Sequence, residues 1–495
     1  MEKNATLNKL LGKIFPIYRH ELRKFIPLTV VFFLLSTTYA ILRGMKSLLL
    51  MQHTTIEAMY CLRLISIAPI VLLTIIYSTV SKVTSRDGRF NVVVGYFVAC
   101  FVVVYFLFIP HLEALKLNQL AADLTARAPH LQHLWEVLRV WPLSLLYIHV
   151  DGWTMIVWGI VFWTFINEVT DLKQSKRFYV LLGLGAEVGL ILTGVLFKYA
   201  QLSPRTLLGL VLIMMFCILA VYNLLARDFT RTPALYQVTP RPARKRVTLS
   251  MMASARFLMR SAYLAHIATL VVLCRITFTL FESVWNAQVK VLAENSSDLT
   301  RVLSTVYGSY DIYNGVLSMV LTLFLAAPIM KRSWRFAASL TPIATLLATI
   351  VFFGLLYCQD TLRSLALYWH IDPILLTVVI GMLNMVSIKS VGYALFNPTK
   401  EQVYIPLDEE LKVRGKAAVD GIGSRLGKSL GSFMITIIIV PLCGSIHNAR
   451  PLIFVAMLCM LFLWLRTISK LDALFKALSE QKADQTVDGE DTSAG

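Results

Sequence analysis

An all-α membrane protein of twelve transmembrane helices in two six-helix halves is the architecture this sequence predicts. Three observations lead to it. The 495 residues are 57% hydrophobic and only 15% charged, with a mean hydropathy of +0.67, whereas a soluble domain is about 25% charged. The apolar residues fall into stretches of about 20, the length that crosses a bilayer as a helix. The Lys and Arg residues sit in the connectors between those stretches and alternate between rich and sparse, as the positive-inside rule requires.

Taken in order, the spans are 27–46, 62–82, 91–112, 146–166, 178–198 and 206–226, then 264–284, 311–330, 336–357, 374–395, 418–442 and 451–467. The connector between the sixth and seventh is long and basic, with Pro233, Pro240 and Pro242 interrupting any regular helix. It divides the chain into a short N-terminal segment (1–26), a first six-helix half (27–226), a linker (227–263), a second half (264–467) and a tail (468–495). The polar tail SEQKADQTVDGEDTSAG reads as partly disordered. Segments holding Lys3, Lys9 and Lys13, Lys82 and Arg89, the central linker, and Lys331 and Arg332 are the basic ones. Both termini are therefore expected on the cytoplasmic side. The stretch 113–145 on the other side is mixed and partly amphipathic, and reads as a surface helix. The N-terminus leads into a span too long for a signal-peptide core, so the first helix is expected to be retained.

The formal net charge of +18 raises nucleic-acid binding. The basic residues lie in short clusters between apolar spans and form no stripe, so membrane topology accounts for them instead. The seven cysteines are scattered singly, with no CxxC pair and no histidine at metal spacing. Neither a disulfide framework, a metal site nor a cofactor is expected.

Charges inside the spans carry the functional information. A charge at mid-depth costs roughly 2.5–3.5 kcal/mol, so it faces a protein-lined cavity and marks a path for a polar solute. Arg43 and Lys46 lie three residues apart near the end of span 1, hence on one face. Glu168 ends span 4, Arg275 and Glu282 share a face of span 7, and Lys389 lies in span 10. Spans 1, 4, 7 and 10 line the cavity in major-facilitator-like transporters, which is the layout that twelve spans in two halves suggest. Glu187 in span 5, Asp311 opening span 8, and Arg425 with Lys428 in span 11 fall outside that set. For Arg43, Glu187, Lys389 and Asp311 a structural salt bridge between helices is the favoured reading.

Four segments resemble the ATP:ADP antiporter family, the nucleotide transporters of plastids and obligate intracellular bacteria: YAILRGMKSLLL (39–50), FWTFINEVTDLKQSKRFYVLLGLGAEVG (162–189), RITFTLFESVWNAQVK (275–290) and KVRGKAAVDGIGSRLGKSLGS (412–432). The resemblance implies a nucleotide carrier that is not an enzyme, with Lys46, Glu168, Glu282 and either Lys428 or Lys416 as the charges transport depends on. In members that swap ATP for ADP the span 1 lysine stands in a pattern like PLKDT; here Gly44 replaces the proline and Ser47 the acid. Exchange and proton-coupled import of a nucleotide or NAD both stay open on that ground. The implied partners are a nucleotide, membrane lipid and, for symport, protons.

The chemistry suits an oligophosphate independently. Arg43, Lys46, Arg275 and Lys428 mix guanidinium forks with compact ammonium charges, and both kinds bind phosphate. Glu168 and Glu282 are placed to hold those cations in the empty carrier or to accept a proton. Trp163, Trp285 and Tyr393 offer stacking faces for a base, although core packing is the simpler role. GIGSRLGKS is not a phosphate-binding P-loop, because three and five residues separate Gly423 and Gly421 from Gly427, where the motif needs four between its glycine and the Gly-Lys, with a strand before it.

Overall fold

Eleven helices long and apolar enough to cross a membrane run through the computed structural model, which describes residues 17–170, 172–231, 261–358, 372–408, 411, 415, 416, 419 and 424–491. The protein is an integral multi-pass membrane protein. The helices are α1 (Leu22–His53), α2 (Ile56–Val83), α3 (Asp87–Phe108), α4 (Trp141–Val169), α5 (Arg177–Ala200), α6 (Pro204–Phe229), α7 (Ala262–Glu294), α8 (Leu299–Met330), α9 (Trp334–Tyr357) and α10 (Pro373–Gln402). After them come a shorter apolar helix, α11 (Gly427–Cys443), and then α12 (Arg450–Gln481). No strand occurs among the described residues.

Helices are the answer because the bilayer core offers no water to backbone N–H and C=O groups, which a helix satisfies internally. Their starts are written locally. Ser85, Ser261, Asp298, Ser333 and Asp372 each cap a helix by accepting a hydrogen bond from a backbone N–H of the first turn, and Pro373 follows Asp372 at the first helical position. Hydroxyls inside the spans fold back onto the preceding turn, as Thr277 Oγ1 does onto the Leu273 carbonyl.

The eleventh span, expected over 418–442, appears as the apolar helix Gly427–Cys443 among the described residues, which leave out 417, 418 and 420–423. Two boundaries differ from the sequence reading. Asp311 does not open α8 but lies twelve residues into it, since the polar first turns from Leu299 are already helical. The last helix does not stop at 467. It continues through Asp491, so most of the tail expected to be partly disordered is helical, with Lys476 and Asp472 paired at 2.9 Å one turn apart. The central linker over 232–260, and residues 1–16 of the N-terminal segment, lie outside the described residues.

The chain groups into two compact units. The first comprises Met1–Thr55, Ile65–Arg244 and Ser304–Gly315; the second comprises Ile56–Leu64, Lys245–Leu303 and Val316–Gly495. In the first, α1 packs against α4, α5 and α6, and α3 against α6. In the second, α7 packs against α10, α11 and α12. α1 and α7 are the central helices of their units: 61% and 67% of their membrane windows are buried, more than in any of the other nine. A helix buried all round needs apolar residues on every face. It can then keep a polar side chain only where another helix supplies a partner.

At the start of α1 the partner is a carboxylate. Glu21, 3% exposed, accepts two hydrogen bonds from the Arg177 guanidinium, 2.7 Å and 2.6 Å, and one from Gln174, while Lys24 donates to Gln174. Burial pushes the Glu21 carboxyl up, but the Arg177 fork outweighs it and holds the group below the usual carboxylate range. A carboxyl with a lowered folded pKa adds stability that is complete above its unfolded value, about 4.3, and is lost as pH falls through the folded value. Glu21→Gln is expected to lower the thermal unfolding midpoint of the detergent-solubilised protein at pH 7. The gap from wild type should close as the pH is taken below about 4; a gap that is constant with pH would exclude this pair as its source.

The connector between α3 and α4 forms three short helices, Leu112–Leu115, Asn118–Arg127 and Gln132–Arg139. They clasp the end of α1: Glu136 accepts from Thr55 N (2.8 Å) and Oγ1 (2.6 Å), and Lys116 contacts His53 Nδ1 at 3.2 Å.

Candidate substrate site

Two clusters of charge sit within the membrane helices, one in each unit. In the first unit Lys46 of α1 is 7% exposed. Its ammonium donates to Asp151 Oδ1 of α4 and lies 3.8 Å from the centre of the Tyr147 ring. Tyr147 and Asp151 are four residues apart, so α4 presents both on one face. Arg43, one turn before Lys46, donates to Asp311 Oδ1 of α8 at 2.6 Å, and its charge also acts on Glu187 of α5. Arg43 and Lys46 thus share a helix face, as the three-residue spacing requires, but have different carboxylate partners.

Close packing places Asp311 there. Gly194 of α5 and Gly308 of α8 meet backbone to backbone, and a Cβ on Gly194 would stand 2.5 Å from the Gly308 carbonyl oxygen. Only glycine permits that approach.

In the second unit Glu282 of α7 accepts a hydrogen bond from Arg63 Nη1 of α2 at 3.2 Å. Arg63 lies over the Tyr60 ring at 4.8 Å, and Tyr60 in turn is 3.5 Å from Asn286 Nδ2, one turn beyond Glu282. Lys389 of α10 and Lys428 of α11 also bring their positive charges to bear on the Glu282 carboxylate. Glu282 is thus hydrogen-bonded to one cation and lies in the field of two more. Lys428 comes this near α7 because its neighbour Gly427 lies against the α7 backbone, where a Cβ would be 2.6 Å from Arg275 Cβ.

The remaining sequence candidates are placed elsewhere. Glu168 is exposed at the end of α4, about 25 Å along the helix from Asp151 at 1.5 Å per residue. It lines a cleft with Tyr77, Arg89 and Tyr222 and has no hydrogen-bond or ion-pair partner among the described residues. Lys416 pairs with Glu401 at 2.5 Å rather than with Glu282. Arg275 is half-buried beside Gly427. Trp285 is buried and donates to the Val378 carbonyl, and Trp163 packs edge-on against Tyr179, whereas Tyr393 is exposed. The glycines ahead of Gly427 in GIGSRLGKS lie outside the described residues.

Asp151, Tyr147 and Arg63 are absent from the sequence reading. Asp151 had a signal, as an acid within the apolar run WPLSLLYIHVDGW; Arg63 lay at the edge of the expected second span, where a basic residue looks like an ordinary helix end.

Solved structures of transporters share this fold at low identity. A bacterial homologue of the iron transporter ferroportin, captured in an inward-facing state, matches with a TM-score of 0.58 at 14% identity, covering 91% of this chain and 99% of that one. A POT family transporter in complex with a thioalcohol-conjugated peptide matches with a TM-score of 0.55 at 10% identity, covering 91% and 96%. These likenesses show a major-facilitator-like fold. Residues 1–475 match the model of the TLC ATP/ADP transporter family, and the chain belongs to that family. Among its relatives, ADP,ATP carrier protein 1 of Chlamydia trachomatis is 32% identical, with 96% of this chain and 93% of the relative aligned. ADP,ATP carrier protein 1 of Rickettsia typhi is 28% identical over 95% and 97%. The chloroplastic ADP,ATP carrier protein 2 of Arabidopsis thaliana is 29% identical over 96% of this chain and 78% of its own length. All three are carriers, which places the protein among transporters.

Proposed function

We propose that this protein exchanges ATP for ADP across the membrane by alternating access, with Lys46, Arg43, Glu282, Lys428 and Arg275 as the charges that bind the substrate. Family membership and the ADP,ATP carriers across nearly the full chain support exchange over proton-coupled import. The observation that carries the site is the second-unit cluster, where Arg63 donates to Glu282 and the charges of Lys389 and Lys428 act on the same carboxylate. A nucleotide tri- or diphosphate carries several negative charges and is the kind of solute that a group of cations suits, with Arg63 offering a fork and the lysines compact charges. Glu282 holds Arg63 in the empty site. Lys416, tied to Glu401, and Glu168, at the far end of α4, take peripheral roles in this reading.

By the same reasoning the two six-helix halves, 27–226 and 264–467, are joined on the cytoplasmic side by the basic linker, both termini are cytoplasmic, and the membrane is a bacterial inner membrane. Protons are not required for exchange. The test is uptake of labelled ATP into proteoliposomes holding the purified protein, with and without internal ADP and with and without a protonophore. Internal ADP is expected to accelerate uptake strongly and the protonophore to leave it unchanged. Uptake that collapses with the protonophore and ignores internal ADP would overturn exchange in favour of symport.

A further inference from the structure

Lys46 and Asp151 form an ion pair of unequal burial: the lysine side chain is 8% exposed, the aspartate 32%. The residue after Lys46 is Ser47, so no acid adjoins the lysine in the chain and its carboxylate comes across from α4. The ammonium also rests 3.8 Å from the centre of the Tyr147 ring, one turn before Asp151 on the same face. These two contacts differ in kind. A carboxylate competes with phosphate for the ammonium, since both are oxygen anions that accept its protons. A ring face does not, and it keeps the ammonium in place whichever anion is bound.

The neighbouring Arg43–Asp311 pair is built differently. The Asp311 side chain is 6% exposed, and its helix is locked to α5 by the Gly194–Gly308 contact. A carboxylate so enclosed has no water to turn to if its cation leaves. Asp151 has that outlet on its accessible rim, so its pair with Lys46 is the one that opens at low cost.

We propose that Asp151 is a positioning residue for transport: it holds Lys46 in the empty carrier and yields it to the phosphate chain of the nucleotide, so that this exchange of partners sets both affinity and release. The proposal rests on the nucleotide-exchange reading above. It makes Asp151 a brake on binding and an aid to release, because a Lys46 without a competing carboxylate would retain phosphate.

The test is ATP binding to the purified full-length protein, together with ATP/ADP exchange in proteoliposomes, for wild type, Asp151→Asn, Asp151→Glu, Lys46→Gln and the Lys46→Gln/Asp151→Asn double variant. In the Lys46 background Asp151→Asn is expected to tighten Kd for ATP by about threefold or more, the scale of a partly exposed ion pair, and to lower kcat together with KM. Asp151→Glu should restore wild-type values. In the Lys46→Gln background the Asn substitution should leave Kd unchanged, because the competition it removes no longer exists. The double variant leaves no lone charge and serves if Asp151→Asn alone does not reach the membrane: its Kd is then expected to equal that of Lys46→Gln. A Kd for Asp151→Asn that is unchanged or weaker, or an Asp151→Asn effect that persists without Lys46, overturns the proposal. So does a loss of membrane abundance with KM unaltered, which is what a merely structural pair would show. Wild-type protein that binds no ATP and exchanges none would instead overturn the functional reading beneath it.

Discussion

Lys46→Ala is expected to reduce ADP-driven ATP uptake by roughly a hundredfold at equal membrane abundance. The substitution removes a 7% exposed ammonium and strands the Asp151 carboxylate that it holds. Truncating one partner of a hydrogen-bonded charge contact to the bound phosphate costs about 3 kcal/mol, and each 1.4 kcal/mol is about tenfold. The loss should appear in transport and not in insertion, because Asp151 lies on an accessible rim where water can solvate it. Lys46→Arg keeps the charge but replaces a compact ammonium over Tyr147 with a planar fork, so partial activity is expected. Uptake by Lys46→Ala within about threefold of wild type, a difference no larger than that of an exposed pair, would remove Lys46 from the site.

The second large effect is Glu282→Ala, expected to lower uptake by about thirtyfold or more, from a loss of about 2 kcal/mol for truncating one member of a hydrogen-bonded charge pair. Its direction differs from that of Lys46. Removing Glu282 takes from Arg63 its hydrogen-bonded carboxylate and removes a negative charge from the field of Lys389 and Lys428, so the second unit becomes more cationic. Nucleotide binding is therefore expected to persist or tighten while turnover falls, so a binding assay separates the two variants. Glu282→Gln should behave like the alanine variant, since its amide keeps an acceptor for Arg63 but supplies no charge. Normal turnover by either variant at equal abundance would show that Glu282 does not balance these cations during the cycle.

Much of this was legible in the sequence because it is written locally. Hydropathy over about 20 residues located the spans, and an apolar helix forms in a bilayer whatever its neighbours, since the backbone must satisfy itself. Lys46 and Glu282 stood out because a charge within an apolar run is costly wherever it points, and long motifs such as NEVTDLKQSKRFY carried the family.

The partners of those charges were decided only by the tertiary structure. Lys46 meets Asp151, Arg63 meets Glu282 and Arg43 meets Asp311 across helices that are far apart in the chain, and which side chains meet depends on the depth and rotation of each helix. Those are set by close packing at Gly194, Gly308 and Gly427, where the lack of a Cβ lets backbones approach. Glu168 shows the converse: it is on the expected helix, but a rise of 1.5 Å per residue carries it about 25 Å from Asp151. Composition and periodicity thus determined which segments enter the membrane and which charges had to be accounted for. Packing determined which of those charges answer one another, because an ion pair depends on distances in space that a one-dimensional pattern does not contain.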